Sequence, residues 1–486
     1  MLGEYVFNES SAMYCTSVLL VDHGIEARAD YAYVFERRGF TEVRWEDDLA
    51  FRIGWEDALK SGKKLAVVAP DSAYVPYDLA LLMQRYDVSL GELFPKLDTA
   101  TLWSFPGLDL DFLAVAYERD LVHISDAKAT RDYIETRVNV RETAELVCDS
   151  LESELVRVTS VAVDYRDWIA VAQLKARTDV TAARYGIEQN TNVLTDGAFR
   201  DFVVGKFGQL TMEDGDDTPV LVSSAMEYMR VRSDRFAIVV MDGMSEFDWH
   251  VLRESFSGIP YEESAAFAMV PTVTSLSRQS LLSGKFPRNL ASPWTTGKEK
   301  NEFVECAERI SFAPGRIAYL RGYDAELPYG CDCAVFVILD VDERVHGQYG
   351  GRAGMLRDME LLRDGGKLAG LVRRLTDAGL DVYISADHGN TPCVGRGRMT
   401  GTGVETETKS RRMLVVNDLA DVSDKQKRYG LVQCPSGFLP QGLRYYVCPS
   451  GASFDNPGEN VMSHGGMSID EVVVPFITVR AGACNG

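Results

Sequence analysis

The stretch RFAIVVMDGM, residues 235–244, decides how the second half of this sequence is interpreted. It is a near-continuous apolar run that ends in an aspartate and a glycine. Three more runs of this kind follow along the chain: CAVFVILDVD (333–342), DVYISADHG (381–389) and EVVVPFITV (471–479). Apolar runs without polar alternation are typical of strands covered on both faces, and helical patterns lie between them. The sequence therefore predicts an α/β fold with a mostly parallel central sheet and crossover helices.

Carboxylates follow three of these predicted strands. Asp242 ends the first strand, Asp340 and Asp342 end the second, and Asp387 ends the third. The carboxyl ends of parallel strands meet at one edge of a sheet, where ligands bind in open α/β sheets. Carboxylates gathered there would repel one another unless a cation lay between them. The sequence thus predicts a bound positive charge at this edge.

Histidines occur near the same predicted edge. Three of the six histidines lie in these motifs, namely His346, His388 and His464. Aspartate oxygens together with imidazole nitrogens suit zinc, manganese or a similar divalent ion. Any one of the aspartates could instead be a turn or helix-cap residue, but four such features in order along one sheet favour a metal site. The other three histidines are expected to be ordinary surface or core residues: His23, His123 and His250.

A row of hydroxyl groups precedes another predicted helix. The stretch VPTVTSLSRQSLLSGKFP (270–287) contains Thr272, Thr274 and four serines beside one arginine, Arg278. Such a stretch could simply form a turn. It could also hold a phosphate, because the first N–H groups of a helix bind anions. These residues alone leave both interpretations open.

Three regions of the chain differ in pattern. Residues 1–125 alternate short apolar runs with helical patterns and predict an N-terminal α/β domain. Residues 126–230 are rich in helix formers and predict a helical domain or insertion. Residues 231–486 hold the long apolar runs, with a loop-rich insertion at about 391–460 that includes a strand within RRMLVVND. The N-terminal domain is expected to contain strands at 16–22, 64–71 and 101–107 and a helix at 79–86.

Composition bears on the expected partners and compartment. The formal net charge is −21, from 51 basic and 72 acidic residues, which argues against a large electrostatic surface that wraps nucleic acid. A local basic patch or bound cations would still admit a nucleic-acid substrate. The nine cysteines are irregularly spaced, which favours buried reduced thiols over a thiolate zinc site. The N-terminus does not resemble a secretion signal and no segment is long and apolar enough to span a bilayer, so we expect a cytoplasmic protein without a membrane partner.

Taken in order, these motifs resemble the alkaline phosphatase superfamily. They are DGM (242–244), PTVTSLSRQSLLSG (271–284), DERVH (342–346), DHG (387–389) and HGGMS (464–468). The closing SHGGMSIDEVVVPF is most similar to the PglZ-domain branch, known from bacterial phage-defence systems such as BREX. The resemblance covers about residues 235–486, and residues 70–97 resemble the upstream part of PglZ proteins less specifically. It implies an alkaline-phosphatase-like core.

The resemblance also implies roles for the candidate residues. Thr274 would be the nucleophile and a metal ligand, with Arg278 four residues on, as at the comparable turn of sulfatases. Two divalent metal ions are implied, with zinc as the expected metal and manganese as the alternative. One ion would be bound by Asp242, Thr274, Asp387 and His388. The other would be bound by Asp342, His346 and His464.

Three of these assignments keep a rival. Arg278 could pair with a phosphate or form a salt bridge to a site carboxylate. Asp340 lies two residues before Asp342, so on a strand both would point the same way, and either could be the ligand. Thr272 is a similar rival of Thr274.

The implied function is a two-metal phosphoric ester hydrolase, first of all a phosphodiesterase acting on nucleotides or nucleic acid in phage defence. Two ions can hold the attacking and leaving oxygens of a phosphoryl transfer. One alternative is a phosphomonoesterase or phosphomutase of the same fold. Another is a non-catalytic partner subunit of a phage-defence complex, with the helical segment 126–230 as its docking surface. The expected partners are accordingly a phosphate-ester substrate and subunits of such a complex.

Overall fold

A computed structural model of the chain describes residues 1–122, 124, 126–213, 215–399 and 410–482. The chain is grouped into two compact units, Met1–Ser150 and Leu151–Gly486.

The first unit is a small α/β domain with a parallel four-stranded sheet. The strands pair in the order β2-β3-β1-β4. They are β1 (Ser17–Asp22), β2 (Thr41–Arg44), β3 (Leu65–Pro70) and β4 (Gln84–Val88). The helices are α1 (Leu2–Glu9), α2 (Tyr33–Arg37), α3 (Asp48–Gly54), α4 (Glu56–Lys60), α5 (Tyr77–Ala80), α6 (Leu90–Leu93), α7 (Thr99–Ser104), α8 (Leu110–Arg119) and α9 (Ala127–Tyr133). A tenth helix, α10 (Arg141–Val161), begins in this unit and continues past its last residue.

Two elements of the first unit differ from the sequence prediction, whereas the strands predicted at 16–22 and 64–71 are confirmed as β1 and β3. The segment 101–107 was expected to be a strand, but its first residues lie in α7, because Asp98 accepts a hydrogen bond from the N–H of Thr101 and caps a helix there. The segment 79–86 was expected to be a helix. It leaves the short helix α5 after Ala80 and enters β4, which pairs with β1. A strand partner distant in sequence outweighs the local helical pattern here.

The second unit is built on a six-stranded sheet in the order β6-β16-β9-β5-β8-β7. Five of these strands run in one direction and β16 runs against them, so the predicted mostly parallel sheet is confirmed. The strands are β5 (Phe236–Met241), β6 (Glu262–Phe267), β7 (Ile317–Arg321), β8 (Cys333–Ile338), β9 (Asp381–Ser385) and β16 (Val473–Val479). The four apolar runs of the sequence form β5, β8, β9 and β16, and these four are the central strands.

Helices cover this sheet and connect its strands. They are α11 (Tyr165–Tyr185), α12 (Asn192–Leu210), α13 (Ala225–Arg232), α14 (Glu246–Leu252), α15 (Thr274–Ser283), α16 (Glu299–Arg309), α17 (Asp340–Gly347), α18 (Gly351–Gly365), α19 (Lys367–Asp377) and α21 (Ile469–Val472), with α20 (Ser423–Tyr429) in the insertion.

The helical segment predicted at 126–230 is divided between the two units. Residues 126–150 are grouped with the first unit, and the rest with the second. Trp168 of α11 and Phe199 of α12 are buried in the same apolar core as the six-stranded sheet. The ring of Phe199 stacks on Phe267 of β6, with centroids 6.3 Å apart. The helices α11 and α12 therefore bury their apolar faces against the sheet and do not form a core of their own.

The insertion at about 391–460 contains short strands arranged in two small sheets, ordered β14-β10-β15 and β11-β13-β12. The strands are β10 (Thr391–Gly395), β11 (Met413–Asn417), β12 (Val432–Gln433), β13 (Leu443–Val447), β14 (Ala452–Ser453) and β15 (Asn460–Ser463). The strand predicted within RRMLVVND is confirmed as β11. Residues 400–409 of the insertion lie outside the described residues.

Candidate active site

The turn after β5 carries Asp242 to the carboxyl edge of the sheet. The side chain of Asp242 is 5% exposed. Gly243 follows with a φ of 77°, in the left-handed region that favours glycine. A Cβ at Gly243 would lie 3.3 Å from the Cβ of Asp342, so the glycine also permits a close approach to α17. Asn390 holds this turn by donating a hydrogen bond of 2.9 Å to the carbonyl of Gly243.

The loop after β9 supplies Asp387 and His388, and both are fully buried. Asp387 Oδ1 accepts hydrogen bonds from the N–H groups of Gly243 (3.2 Å) and His388 (3.1 Å). His388 Nδ1 lies 3.1 Å from the carbonyl oxygen of Gly389. A carbonyl oxygen can only accept, so Nδ1 carries a hydrogen, and Nε2 is the ring nitrogen left for another partner. That nitrogen lies 2.9 Å from Thr274 Oγ1.

The structure separates the two threonine candidates. Thr274 is the first residue of α15 and its hydroxyl faces His388. Thr272 is fully buried, donates to the carbonyl of Gly466 at 3.0 Å and accepts from the N–H of Gly465 at 3.1 Å. Thr272 thus holds the glycine loop, and Thr274 is the threonine placed beside the imidazole.

A second group of donors forms around Asp342. His346 lies one turn further on α17, with Nε2 3.2 Å from Asp342 Oδ2. His464 Nε2 lies 3.5 Å from Asp342 Oδ1, and its Nδ1 lies 3.0 Å from the carbonyl of Thr272. The His464 ring stacks on His388 with centroids 4.0 Å apart. This stack joins the second group to the first.

The rival Asp340 does not share this position. The sequence prediction that Asp340 and Asp342 point the same way is wrong, because β8 ends at Ile338 and α17 begins at Asp340. Residues two apart on a helix point to different faces. Asp342 is therefore the carboxylate that lies with His346 and His464.

Arg278 lies among the site carboxylates, and its side chain is 5% exposed. Its Nη1 pairs with Asp242 and lies 3.8 Å from Asp387 Oδ2, while Nε donates to Glu299 Oε2 at 2.8 Å. Burial lowers the pKa of the guanidinium, but the charges of Asp242, Asp387 and Glu299 raise it above its ordinary value. Of the two roles left open, the structure shows Arg278 in the salt-bridged arrangement that braces the carboxylates.

The two donor groups have the chemistry of cation sites. The first group is Asp242, Asp387 and His388, and the second is Asp342, His346 and His464. Within each group, one ligand atom per residue lies within 4.8 Å of the others. Three buried carboxylate oxygens in these groups have no hydrogen-bond partner among the residues that the structure describes: Asp242 Oδ1, Asp342 Oδ1 and Asp387 Oδ2. His388 Nε2 lies 3.7 Å from the first and 3.8 Å from the last of these. Acceptor atoms that face one another in this way fit a metal ion between them.

The pKa shifts of the side chains in these groups also fit a bound cation. Burial, with the negative charge of Asp242, raises the pKa of Asp387 well above its ordinary value. Burial also raises the pKa of Asp342, but the hydrogen bond from His346 and the charge of His464 outweigh it and lower that pKa. Burial lowers the pKa of His464 to about 4. At neutral pH a neutral imidazole nitrogen therefore faces an ionised carboxylate, an arrangement that a divalent cation stabilises.

Three residues that support the site were missed in the sequence. Glu299 pairs with Arg278 across 21 positions and belongs to no motif. Asn390 directly follows DHG, and its position beside that motif was the available signal. Glu471 accepts hydrogen bonds from the N–H of Gly466 (2.8 Å) and the hydroxyl of Ser468 (2.7 Å), and the spacing of a capping box could have identified it.

Two other histidines that the structure describes, His23 and His250, take no part in either donor group. His23 lies beside Asp71 and Asp87 in the first unit. His250 is in α14, with Nε2 3.2 Å from Arg253. His123 lies outside the described residues.

The sequence model of the BREX system PglZ alkaline phosphatase-like domain matches residues 343–479. This segment of the chain matches the PglZ domain, so the resemblance predicted from the motifs is confirmed there. Four of the seven predicted metal ligands lie within the match: His346, Asp387, His388 and His464. Asp242, Thr274 and Asp342 lie before it, and the metal-binding roles of all seven residues are predictions. No curated protein matches the chain by sequence.

Several solved structures are similar to part of the chain. Murine ectonucleotide pyrophosphatase/phosphodiesterase 5 shares 14% identity over 50% of this chain and 88% of its own, with a TM-score of 0.38. The human protein of that name gives 14% identity, 50% and 87% coverage and a TM-score of 0.37. Phosphonoacetate hydrolase from Sinorhizobium meliloti 1021 gives 12% identity, 51% and 90% coverage and a TM-score of 0.33.

Proposed function

We propose that this chain is a two-metal phosphoric ester hydrolase, first of all a phosphodiesterase acting on nucleotides or nucleic acid, with Thr274 as its nucleophile. The observation that carries the proposal is the pair of three-residue donor groups that are joined by the His388–His464 stack beside Thr274 Oγ1. Asp242, Thr274, Asp387 and His388 would hold one ion. Asp342, His346 and His464 would hold the other. Mixed imidazole and carboxylate donors suit zinc, with manganese as the alternative.

The residues of the chain perform distinct tasks in this proposal. Thr274 Oγ1 forms a bond to phosphorus as the bond to the leaving oxygen breaks, and the hydroxyl proton passes through solvent to the leaving oxygen. Water then attacks phosphorus, the bond to Oγ1 breaks, and a proton from that water restores the Thr274 hydroxyl. His388 Nε2 would be the nitrogen that binds an ion, and it lies 2.9 Å from Thr274 Oγ1, so this ligand is placed beside the attacking oxygen. Arg278 holds Asp242 and Asp387 in place. When bound, the two cations supply Lewis-acid stabilisation of the charge that develops on the reacting oxygens.

Phage defence is the proposed biological setting. The match to a BREX system domain supports this setting. The same match supports two further proposals, that other subunits of such a system are partners and that the protein is in the cytoplasm. Among the residues that the structure describes, no helix has the length and apolar character needed to cross a bilayer. The proposed substrate and the proposed subunits are therefore the interactions to test first.

The test is turnover of bis-p-nitrophenyl phosphate and p-nitrophenyl phosphate by protein loaded with zinc or manganese. Thr274→Ala is expected to lower turnover about a thousandfold or more while keeping bound metal, because the remaining ligands are untouched. Thr274→Ser retains a hydroxyl and serves as the matched control. Full activity in Thr274→Ala would refute the assignment of Thr274 as the nucleophile. A strong preference for the monoester favours the phosphomonoesterase alternative, and no turnover of either ester by metal-loaded protein favours a non-catalytic partner subunit.

A further inference from the structure

A cavity of about 300 Å³ lies in the second unit, and none of the seven predicted metal ligands lines it. One wall is a face of α12, and the other walls come from the loop after β13 and the loop that follows His464. Its volume is at the small end of the range of about 300–1,000 Å³ for ligand pockets. Its chemistry is mixed, since carboxamide and charged groups share the lining with Val193, Pro449 and Met467.

Two opposite charges line this cavity one turn apart on α12. Asp196 and Arg200 are four residues apart, about 6 Å along the helix axis. Asp196 is buried, with 6% of its surface exposed, whereas the side chain of Arg200 is 47% exposed. Gly197 lies between them on the same wall, where the absence of a side chain leaves the space open. A third charged residue, the buried Arg412, also lines the cavity and pairs with Glu471 at 3.3 Å. Arg200 pairs with Asp201 at 2.8 Å at the exposed outer end, whereas Asp196 lies at the buried inner end.

Asp196 forms no ion pair with the described residues, although the charge of nearby Lys175 acts to lower its pKa. Beside it lies a buried cluster in which Lys175 pairs with Asp179 (2.7 Å) and Asp470 (2.8 Å), and Arg352 pairs with Asp470 (2.7 Å). The two cations of this cluster balance the charges of its two carboxylates, and Asp196 is a third carboxylate beside them.

The contacts of Asp196 are weaker than an ion pair. It accepts a hydrogen bond from the Ser450 hydroxyl and a long one of 3.5 Å from the N–H of Ile469. Burial and the charge of Asp470 raise the pKa of Asp196 to about 6. A buried carboxyl group that has hydrogen bonds but no ion pair is stabilised by a further N–H donor. A ligand in the cavity can supply that donor to Asp196.

We propose that this cavity binds a small molecule with an amino group at one end and an anionic group at the other, as in a mononucleotide or an amino acid. The amino group donates to Asp196, and the phosphate or carboxylate pairs with Arg200 at the outer end. Asn190 and Asn192 offer amide groups to the polar edge of the ligand, and Pro449 and Met467 contact its apolar part. This site is separate from the proposed metal centre and does not depend on the proposed reaction.

Calorimetric titration of the full chain, treated with a chelator to remove metal, tests the proposal. The probes are 5′-AMP and L-leucine, each with analogues that lack one end. IMP and N-acetyl-leucine lack the amino group, and adenosine and leucinamide lack the anion. The better of the two probes is expected to bind at least roughly tenfold more tightly than its analogues, since each loses a hydrogen bond to a charged group. The probe that binds identifies the source of the ligand.

Variants locate the binding to the cavity. Gly197→Leu fills it, and a Cβ at this position meets no atom within 4 Å, so the helix tolerates the change. Gly205→Leu is the matched control, since Gly205 is equally open, lies on the same helix and does not line the cavity. Gly197→Leu is expected to abolish binding, Gly205→Leu to retain it, and Arg200→Gln to weaken only probes that carry the anion.

Three results would overturn the proposal. The first is that neither probe binds at millimolar concentration. The second is that the truncated analogues bind as well as their parents. The third is that folded Gly197→Leu binds like the unsubstituted protein. Because no metal or turnover enters the measurement, a failure here leaves the proposed hydrolase untouched, and a failure of the hydrolase leaves this result valid.

Discussion

Metal-linked stability of single-site variants would show whether there are two independent cation sites. Asp387→Asn removes a ligand from the group that contains Asp242, and Asp342→Asn removes one from the group that contains His464. A ligand present at one hundred times its Kd stabilises the folded state by about 2.7 kcal/mol per site. Two sites therefore predict an increment of roughly 5 kcal/mol in the unsubstituted protein and about half of it in each variant.

The structure also predicts how these variants behave without metal. Asp387 and Asp242 are buried beside each other, and burial with that neighbouring charge raises the pKa of Asp387. Asparagine resembles the protonated acid, so Asp387→Asn should be at least as stable as the unsubstituted protein when no metal is present. Loss of its metal increment then reports loss of a site and not loss of folding. Asp340→Asn is the matched control, because Asp340 lies on the same helix as Asp342 but outside the donor group.

The assay is urea unfolding followed by tryptophan emission, with and without zinc, since Trp168 and Trp249 are buried in the second unit. The metal content of the same samples is measured by elemental analysis. The unsubstituted protein and Asp340→Asn should each contain two equivalents, and Asp387→Asn and Asp342→Asn should each contain one. The two-site reasoning fails if one substitution removes the whole increment, or if neither substitution changes it. An equal loss in Asp340→Asn would show that the assignment of Asp342 is wrong.

Two further predictions concern buried charges. Arg278→Gln leaves Asp242 and Glu299 without their buried partner, so metal-free protein should lose about 3–5 kcal/mol of unfolding free energy, and an unchanged urea midpoint would contradict the bracing role. Asp196, whose pKa is raised from 3.8 to about 6, favours the folded state below pH 4, and this advantage is lost as pH rises through about 6. Relative to Asp196→Asn, the unsubstituted protein should lose up to about 3 kcal/mol between pH 4 and pH 7, and parallel stability curves for the two proteins would refute the shift.

Prediction from the sequence succeeded where a residue's role depends on its own neighbours in the chain. The runs that became β5, β8, β9 and β16 are apolar at nearly every position, which commits them to the middle of a covered sheet. The motif DGM follows β5, DHG follows β9, and α15 begins within PTVTSLSRQSLLSG. The resemblance to the alkaline phosphatase superfamily implied two sets of candidate ligands, and the structure brings together the aspartates and histidines of each set.

The errors came from segments whose local pattern is weak or ambiguous. In 101–107 a side-chain cap at Asp98 starts a helix, and in 79–86 pairing with β1 draws the chain into a strand. The helices of 151–230 carry a good amphipathic pattern, but that pattern does not reveal what covers the apolar face. Trp168 and Phe199 are buried in the core of the six-stranded sheet, so the helices belong with it.

The sequence by itself determined the fold class and the strands of the central sheet, because periodicity is a property of neighbouring residues. The resemblance of its motifs to a known family supplied the candidate site residues. Only the tertiary structure decided among rivals. Thr272 donates a hydrogen bond to Gly466, which is 194 residues away in the chain. Arg278 donates a hydrogen bond to the carboxylate of Glu299, which is 21 residues away. Hydrogen bonds and ion pairs depend on distances of about 3 Å between groups far apart in the chain, and only folding sets those distances.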